Sequence, residues 1–184
     1  MPGDVGRLVL VVGPSGAGKD SVLRAANAEF AGNPRYIFPR RLITRGAHAE
    51  TEDHDTLSET QFQKGVESGS FMLHWQAHGL GYALPRSVED SIEAGKIAAI
   101  NVSRNILHDA AARFPEMIIV EITADPELRI KRIQARGREE LSHAQTRALR
   151  ETLPFPDNVT KFLIENNGTL DAAVGQFVEI LRNL

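Results

Sequence analysis

The 184-residue sequence predicts a three-layer α/β fold with a mostly parallel central sheet, built around a phosphate-binding loop. Apolar runs of strand length recur at Leu8–Val12, Ile97–Val102 and Met117–Ile122, each followed by a helix-compatible stretch. The first run leads directly into Gly13-Pro14-Ser15-Gly16-Ala17-Gly18-Lys19-Asp20, a glycine-rich turn that opens a helix. The chain closes on a strongly amphipathic segment, with Thr169 placed as an N-cap and Leu170, Ala173, Val174, Phe177, Val178 and Leu181 repeating along one face.

The loop is the most chemically explicit element. Its glycines let the backbone turn N–H groups inward, the helix starting at Lys19 adds its positive end, and Lys19 can reach the outer phosphates of a nucleotide. Residues 13–21, Gly13 through Ser21, are therefore expected to cradle phosphate. The match to G-x-x-x-x-G-K-[ST] fails only at Asp20, where a hydroxyl normally meets Mg²⁺, and Ser21 follows it. Two readings of Asp20 stand: a carboxylate of the metal shell, with Ser21 beside it, or an acid favoured in a helix first turn by the dipole. Val22, Leu23, Ala26 and Phe30 give the helix behind it an apolar face.

Residues 35–95 interrupt the strand–helix alternation and read as an inserted subdomain, between core segments 7–34 and 96–184 of a single domain. Ser58-Glu59-Thr60-Gln61 has the form of a capping box opening a short helix that stops near Gly69. Phe71–Ala77 and Tyr82–Leu84 flank residues 78–81 as a hairpin, with Trp75 and Phe71 in its core. A short apolar run at Phe162–Ile164 supplies one further strand. A polar, arginine-bearing stretch over about 136–150 is expected to form a lid.

Composition narrows the function. No cysteine is present, which excludes a thiolate metal site or a Cys nucleophile and suits a reducing cytoplasm. The six histidines show no metal-ligand spacing. A formal net charge of −3 gives no electrostatic case for nucleic acid or an anionic membrane, and neither a leader-like N-terminus nor a membrane-length apolar run occurs, so a soluble cytoplasmic protein is expected. Among the basic residues, 16 are Arg and 5 are Lys, and the arginines group at 40, 41 and 45, at 129–138, and at 147 and 150. A planar guanidinium grips phosphate in two places at once. A nucleotide cradle, an insertion and an arginine-bearing lid form the plan of a small-substrate kinase, and a phosphate acceptor, already deprotonated near neutral pH, needs no general base.

Gly13–Ser21, Leu42–Arg45, Leu57–Phe62, Trp75–Tyr82, Asn101–Arg104 and Arg136–Glu139 together resemble the guanylate kinase superfamily over nearly the whole chain. Within it they look most like the ribose 1,5-bisphosphate phosphokinases, Lys-Asp-Ser and Gly-Leu-x-Tyr being the more discriminating parts. The resemblance implies a guanylate-kinase-like P-loop fold, ATP and Mg²⁺ as cofactors, and phosphorylation of ribose 1,5-bisphosphate to 5-phosphoribosyl 1-diphosphate in phosphonate metabolism. It implies catalytic roles for Lys19, Arg136, Arg138 and Arg147, and places Arg132 and Asn166 near the adenine. On the acceptor side it implies Arg41, Arg45, His54, Tyr82, Asn101, Ser103 and Arg104.

Guanylate kinase itself is the alternative, and a catalytically silent interaction domain of the same fold is another. Aligned on Thr44-Arg45 and the Gly79 hairpin, the guanine-reading Ser, Glu and Ser/Thr of guanylate kinases fall at Arg41, Leu73 and Leu84, and their Asp near Asn101. Two leucines facing a base edge would leave its N–H donors unpaired, at about 1–3 kcal/mol each. The second acceptor-loop arginine is missing, with His48 nearby, and His54 stands where that family has a phosphate-holding tyrosine. The acidic cluster Glu50, Glu52, Asp53 and Asp55 around it reads as a solvated loop, a binder of ribose hydroxyls or a second metal site.

Overall fold

The computed structural model describes residues 5–44, 54–77, 79–135 and 153–184. Strand β1 (Arg7–Val12) is the middle of a five-stranded sheet, flanked by β7 (Ile97–Asn101) and β2 (Tyr36–Ile37) on one side and by β8 (Ile118–Thr123) and β9 (Thr160–Glu165) on the other. Every pairing in it is parallel. Its central strands are buried on both faces, which is why they read as unbroken apolar runs rather than alternating ones.

Alternate residues of these strands feed two cores. Helices α1 (Lys19–Glu29) and α6 (Leu170–Arg182) press Val22, Ala26, Phe177 and Leu181 onto Val9, Val11, Ala99 and Val120. On the opposite face α3 (Ser87–Glu93) and α4 (Leu107–Arg113) bring Val88, Leu107 and Ala110 against Leu8, Leu10 and Ile119. Helix α5 (Pro126–Ala135) follows β8. The N-cap of α6 is Thr169, whose hydroxyl accepts from the Ala172 N–H. Among the described residues no helix is long and apolar enough to cross a membrane.

The insertion forms a second sheet in the order β4 (His54–Thr56), β3 (Arg41–Ile43), β6 (Leu80–Pro85), β5 (Phe71–Ala77), with α2 (Glu59–Glu67) packed on the β5–β6 hairpin. The capping box at the start of α2 is complete: Ser58 Oγ accepts from Gln61 N at 3.1 Å and Gln61 Oε1 accepts from Ser58 N at 2.8 Å. One boundary differs from the expected 35–95. Tyr36–Ile37 join the core sheet beside β7 because the Tyr36 ring stacks on Phe30 of α1, centroids 3.9 Å apart. The insertion proper therefore starts after Phe38, and the expected lid at 136–150 lies outside the described residues.

The hairpin is welded to the domain core through Met72, Leu73, Trp75 and Leu84. Leu84 is fully buried. Leu84→Ala should lower stability by about 2–5 kcal/mol, read from denaturant unfolding, because the cavity sits where the sheets meet and cannot collapse cheaply.

Candidate active site

The phosphate loop leaves β1 at Gly13, where φ is +146° and a Cβ would run into the Ile122 carbonyl. At Gly18, the residue before α1, φ is +94° and a Cβ would lie 2.5 Å from the Asn166 amide nitrogen, so only glycine fits. No side chain caps the start of α1. The N–H groups of Gly16 and Gly18 meet no acceptor among the described residues, leaving a concave row of donors at a helix N-terminus. Lys19 folds back over this row and donates from Nζ to the carbonyls of Gly13 at 2.7 Å and Pro14 at 3.1 Å.

Two distant side chains brace the loop from outside. Asn166, buried just after β9, donates from Nδ2 to the Ala17 carbonyl at 2.9 Å, while its Oδ1 is buried without a hydrogen-bond partner among the described residues. Arg132 on α5 donates to the Asn166 carbonyl at 3.0 Å and, at 3.5 Å, toward that of Gly16. These two residues set the loop's shape, and the open Asn166 oxygen leaves one acceptor beside it.

On the inner side of α1 lies a small cleft lined by Asp20, Arg24, Asn27, Phe38, Arg41 and Asn101, among others. Asn101 ends β7, opposite Val11 of β1, and donates from Nδ2 to Asp20 Oδ1 at 2.6 Å. Among the described residues the second carboxylate oxygen of Asp20 accepts no hydrogen bond. Half-buried Ser21 follows on the same turn. A carboxylate and a hydroxyl beside a phosphate loop suit Mg²⁺, which takes one or two carboxylates plus phosphate and water oxygens; among the described residues no three His, Cys, Asp or Glu gather into a metal cage.

Arg41 starts β3 and lies with its guanidinium carbon 5.9 Å from the centre of the Tyr82 ring. Tyr82 is itself stacked on Trp75, centroids 5.4 Å apart. β3 and β6 pair Leu42 with Ala83 and Ile43 with Tyr82, so the next step of that register sets Arg41 opposite Leu84, and Leu84 is paired with Leu73 on β5. Arg41, Leu84 and Leu73 therefore form one row across the sheet. Arg24 and Asn27 were not singled out in the sequence. Arg24 stands one helical turn from Asp20, so their shared face was the available signal.

Ser103 and Arg104 do not enter this cleft. Ser103 accepts from the Asn105 N–H and caps a short 3₁₀ turn, and Arg104 pairs with Glu121 and stacks on the Phe155 ring 4.0 Å away. Both lie on the face of the core sheet opposite α1, where Glu121 supplies Arg104 with a counter-charge. Asp55 is exposed and pairs with Arg40. Arg45, Arg136, Arg138 and Arg147 lie outside the described residues, as do the His54 side chain and Glu50, Glu52 and Asp53.

The guanylate kinase family model matches residues 5–184. Ribose 1,5-bisphosphate phosphokinase PhnN of Methylobacterium radiotolerans is 47% identical over 178 residues, covering 96% of this chain and 98% of its own length. The protein of the same name from Brucella melitensis is 40% identical over 180 residues, 97% of this chain and 93% of that one. A bifunctional ribose 1,5-bisphosphokinase-thymidine phosphorylase of Cupriavidus pinatubonensis is 40% identical over 97% of this chain, which corresponds to 29% of that longer protein. Among solved structures, guanylate kinase from Anaplasma phagocytophilum superposes with a TM-score of 0.70 over 98% of this chain and 86% of that one, at 15% identity, a likeness of fold alone. With the phosphate loop, the insertion and the parallel core in the arrangement described, the chain belongs to the guanylate kinase family and, within it, to the ribose 1,5-bisphosphate phosphokinases.

Proposed function

We propose that this protein transfers the γ-phosphoryl group of ATP to the 1-phosphate of ribose 1,5-bisphosphate, giving 5-phosphoribosyl 1-diphosphate and ADP. The observation that carries this reading is the row Arg41, Leu84, Leu73. These are the positions at which guanylate kinases read their base, and here they hold one cation and two buried leucines. The two leucines offer a purine no polar partner, whereas an acceptor phosphate gains Arg41, with Arg24 facing it from α1.

In the reaction a deprotonated oxygen of the 1-phosphate attacks the γ-phosphorus, the bond from that phosphorus to the β–γ bridging oxygen breaks, and the electron pair leaves with ADP. No proton has to be removed, so the absence of a paired base beside the loop among the described residues is consistent with the chemistry. The N–H groups of the loop hold the donor phosphates, and Lys19 moves from its own loop carbonyls to the transferring group. Asp20 and Ser21 would hold Mg²⁺, which supplies charge neutralisation at the β- and γ-oxygens. The unpartnered Asn166 oxygen suits the exocyclic amino group of adenine. Arg136, Arg138 and Arg147, as lid residues, and Arg45, His54 and Tyr82, on the acceptor side, complete the proposed machinery.

The test is an acceptor comparison with ATP and Mg²⁺, offering ribose 1,5-bisphosphate, GMP, AMP and gluconate in parallel. The bisphosphate should be turned over and GMP should give little product. Faster turnover of GMP returns the chain to guanylate kinase activity, and the absence of ATP binding in calorimetry makes it an interaction domain.

A further inference from the structure

The contact between Asp20 and Asn101 carries a step beyond this reading, while resting on its premise that the loop binds a metal–nucleotide complex. In P-loop phosphotransferases the ion is held from two places: a Ser or Thr hydroxyl directly after the loop lysine, and an Asp from the Walker-B strand. The loop residue is neutral and the strand residue is charged. In this chain the residue after Lys19 is the acid Asp20. The residue ending β7, the strand beside β1, is the neutral amide Asn101.

The two meet across the top of the sheet. They are 81 positions apart in sequence, yet Asn101 Nδ2 lies 2.6 Å from Asp20 Oδ1. Asn101 continues the face of β7 that carries Ile97 and Ala99, the face covered by α1, so it sits below the first turn of that helix. An amide there can donate to a carboxylate on the loop, and it fixes Oδ1 while Oδ2 has no hydrogen-bond partner among the described residues. A carboxylate at 101 would instead face Asp20 with like charge at hydrogen-bond distance, and a hydroxyl at 20 with the amide at 101 would leave the pair without an anion.

We propose that the metal-binding charge has been transposed in this protein: Asp20 on the loop supplies the carboxylate that the strand ordinarily provides, and Asn101 is a positioning residue that orients it. Asn101 is thereby withdrawn from the acceptor, where it was expected. Among the described polar residues lining the cleft, the substrate side is left to Arg24, Asn27 and Arg41.

The experiment measures binding, not turnover. ADP affinity of the full-length protein is determined by calorimetry with Mg²⁺ and with EDTA, and Mn²⁺ affinity of the ADP complex by electron paramagnetic resonance. Asp20→Ser should bind metal-free ADP like the wild type and lose Mn²⁺ affinity by about 10–100-fold, and Asn101→Ala should lose about tenfold. The exchange variant Asp20→Ser with Asn101→Asp, which restores the ordinary arrangement, should recover most of the loss. Thermal melts identify the folded variants, and Asp20→Asn, with nearly the same shape, replaces Asp20→Ser should the latter not fold. Unchanged Mn²⁺ affinity in the folded Asp20 variants, or a folded exchange variant that binds ADP without recovering the metal, overturns the transposition while leaving the kinase reading in place. A wild type that binds no ADP under either condition overturns both.

Discussion

Lys19→Ala should reduce turnover by about 10²–10³-fold, the loss that follows removal of one preorganised donor from a developing anion. The side chain is half-buried at the mouth of the loop, and its ammonium donates to the backbone oxygens of Gly13 and Pro14. Those contacts are exchangeable for phosphate oxygens, which offer the same geometry with more charge. The fold should survive the change, since Asn166 and Arg132 hold Ala17 and Gly16 independently of Lys19. Steady-state rates and a thermal melt on the same preparation check both halves. Near-normal turnover in a folded variant would remove the loop from the mechanism.

The parts of this fold that were legible in the sequence are those whose cause is local. The capping box at Ser58, the Thr169 cap, the left-handed glycines of the phosphate loop and the apolar strands at 8–12, 97–101 and 118–122 each declare themselves within a few residues. Strands β2, β3 and β4 did not, being two or three residues long and stabilised by partners far along the chain: Tyr36 pairs with Ile97, and Arg41 pairs in parallel with His54. The site divides in the same way. The loop was readable as a motif, but Asp20 could not announce its amide partner 81 positions away. Arg104 is placed on the acceptor side by the family resemblance alone. Two of its partners, Glu121 and Phe155, are contributed by β8 and by the segment before β9, and no short-range pattern links them to it. Arg24 was passed over for the opposite reason, since a charged residue on an exposed helix face resembles any solvated arginine until β3 is set across from it.

Arg41→Ser should lower kcat/KM for ribose 1,5-bisphosphate by about 10–150-fold, the equivalent of one charge-assisted hydrogen-bonding group of about 1.5–3 kcal/mol. The expectation follows from position. Arg41 is half-buried on the cleft wall, lies close to Tyr82 and shares its row with Leu84 and Leu73, so among the described residues lining the cleft Arg24 on the facing helix is the one other cation. ATP affinity should not change, because the loop, Asn166 and Arg132 belong to different elements and none of their hydrogen bonds involves β3. Arg41→Lys should fall between wild type and Arg41→Ser, since an ammonium keeps the charge and loses the planar fork. The serine variant should not acquire activity on GMP even though it restores the guanylate kinase residue at that position, because Leu84 and Leu73, where that family has its other polar base readers, supply no hydrogen-bonding group. Acceptor and donor kinetics measured on the same variants separate these outcomes. An unchanged acceptor kcat/KM would remove Arg41 from the acceptor site, and an equal loss for ATP and acceptor would show that the substitution disturbs the whole cleft rather than one anchor.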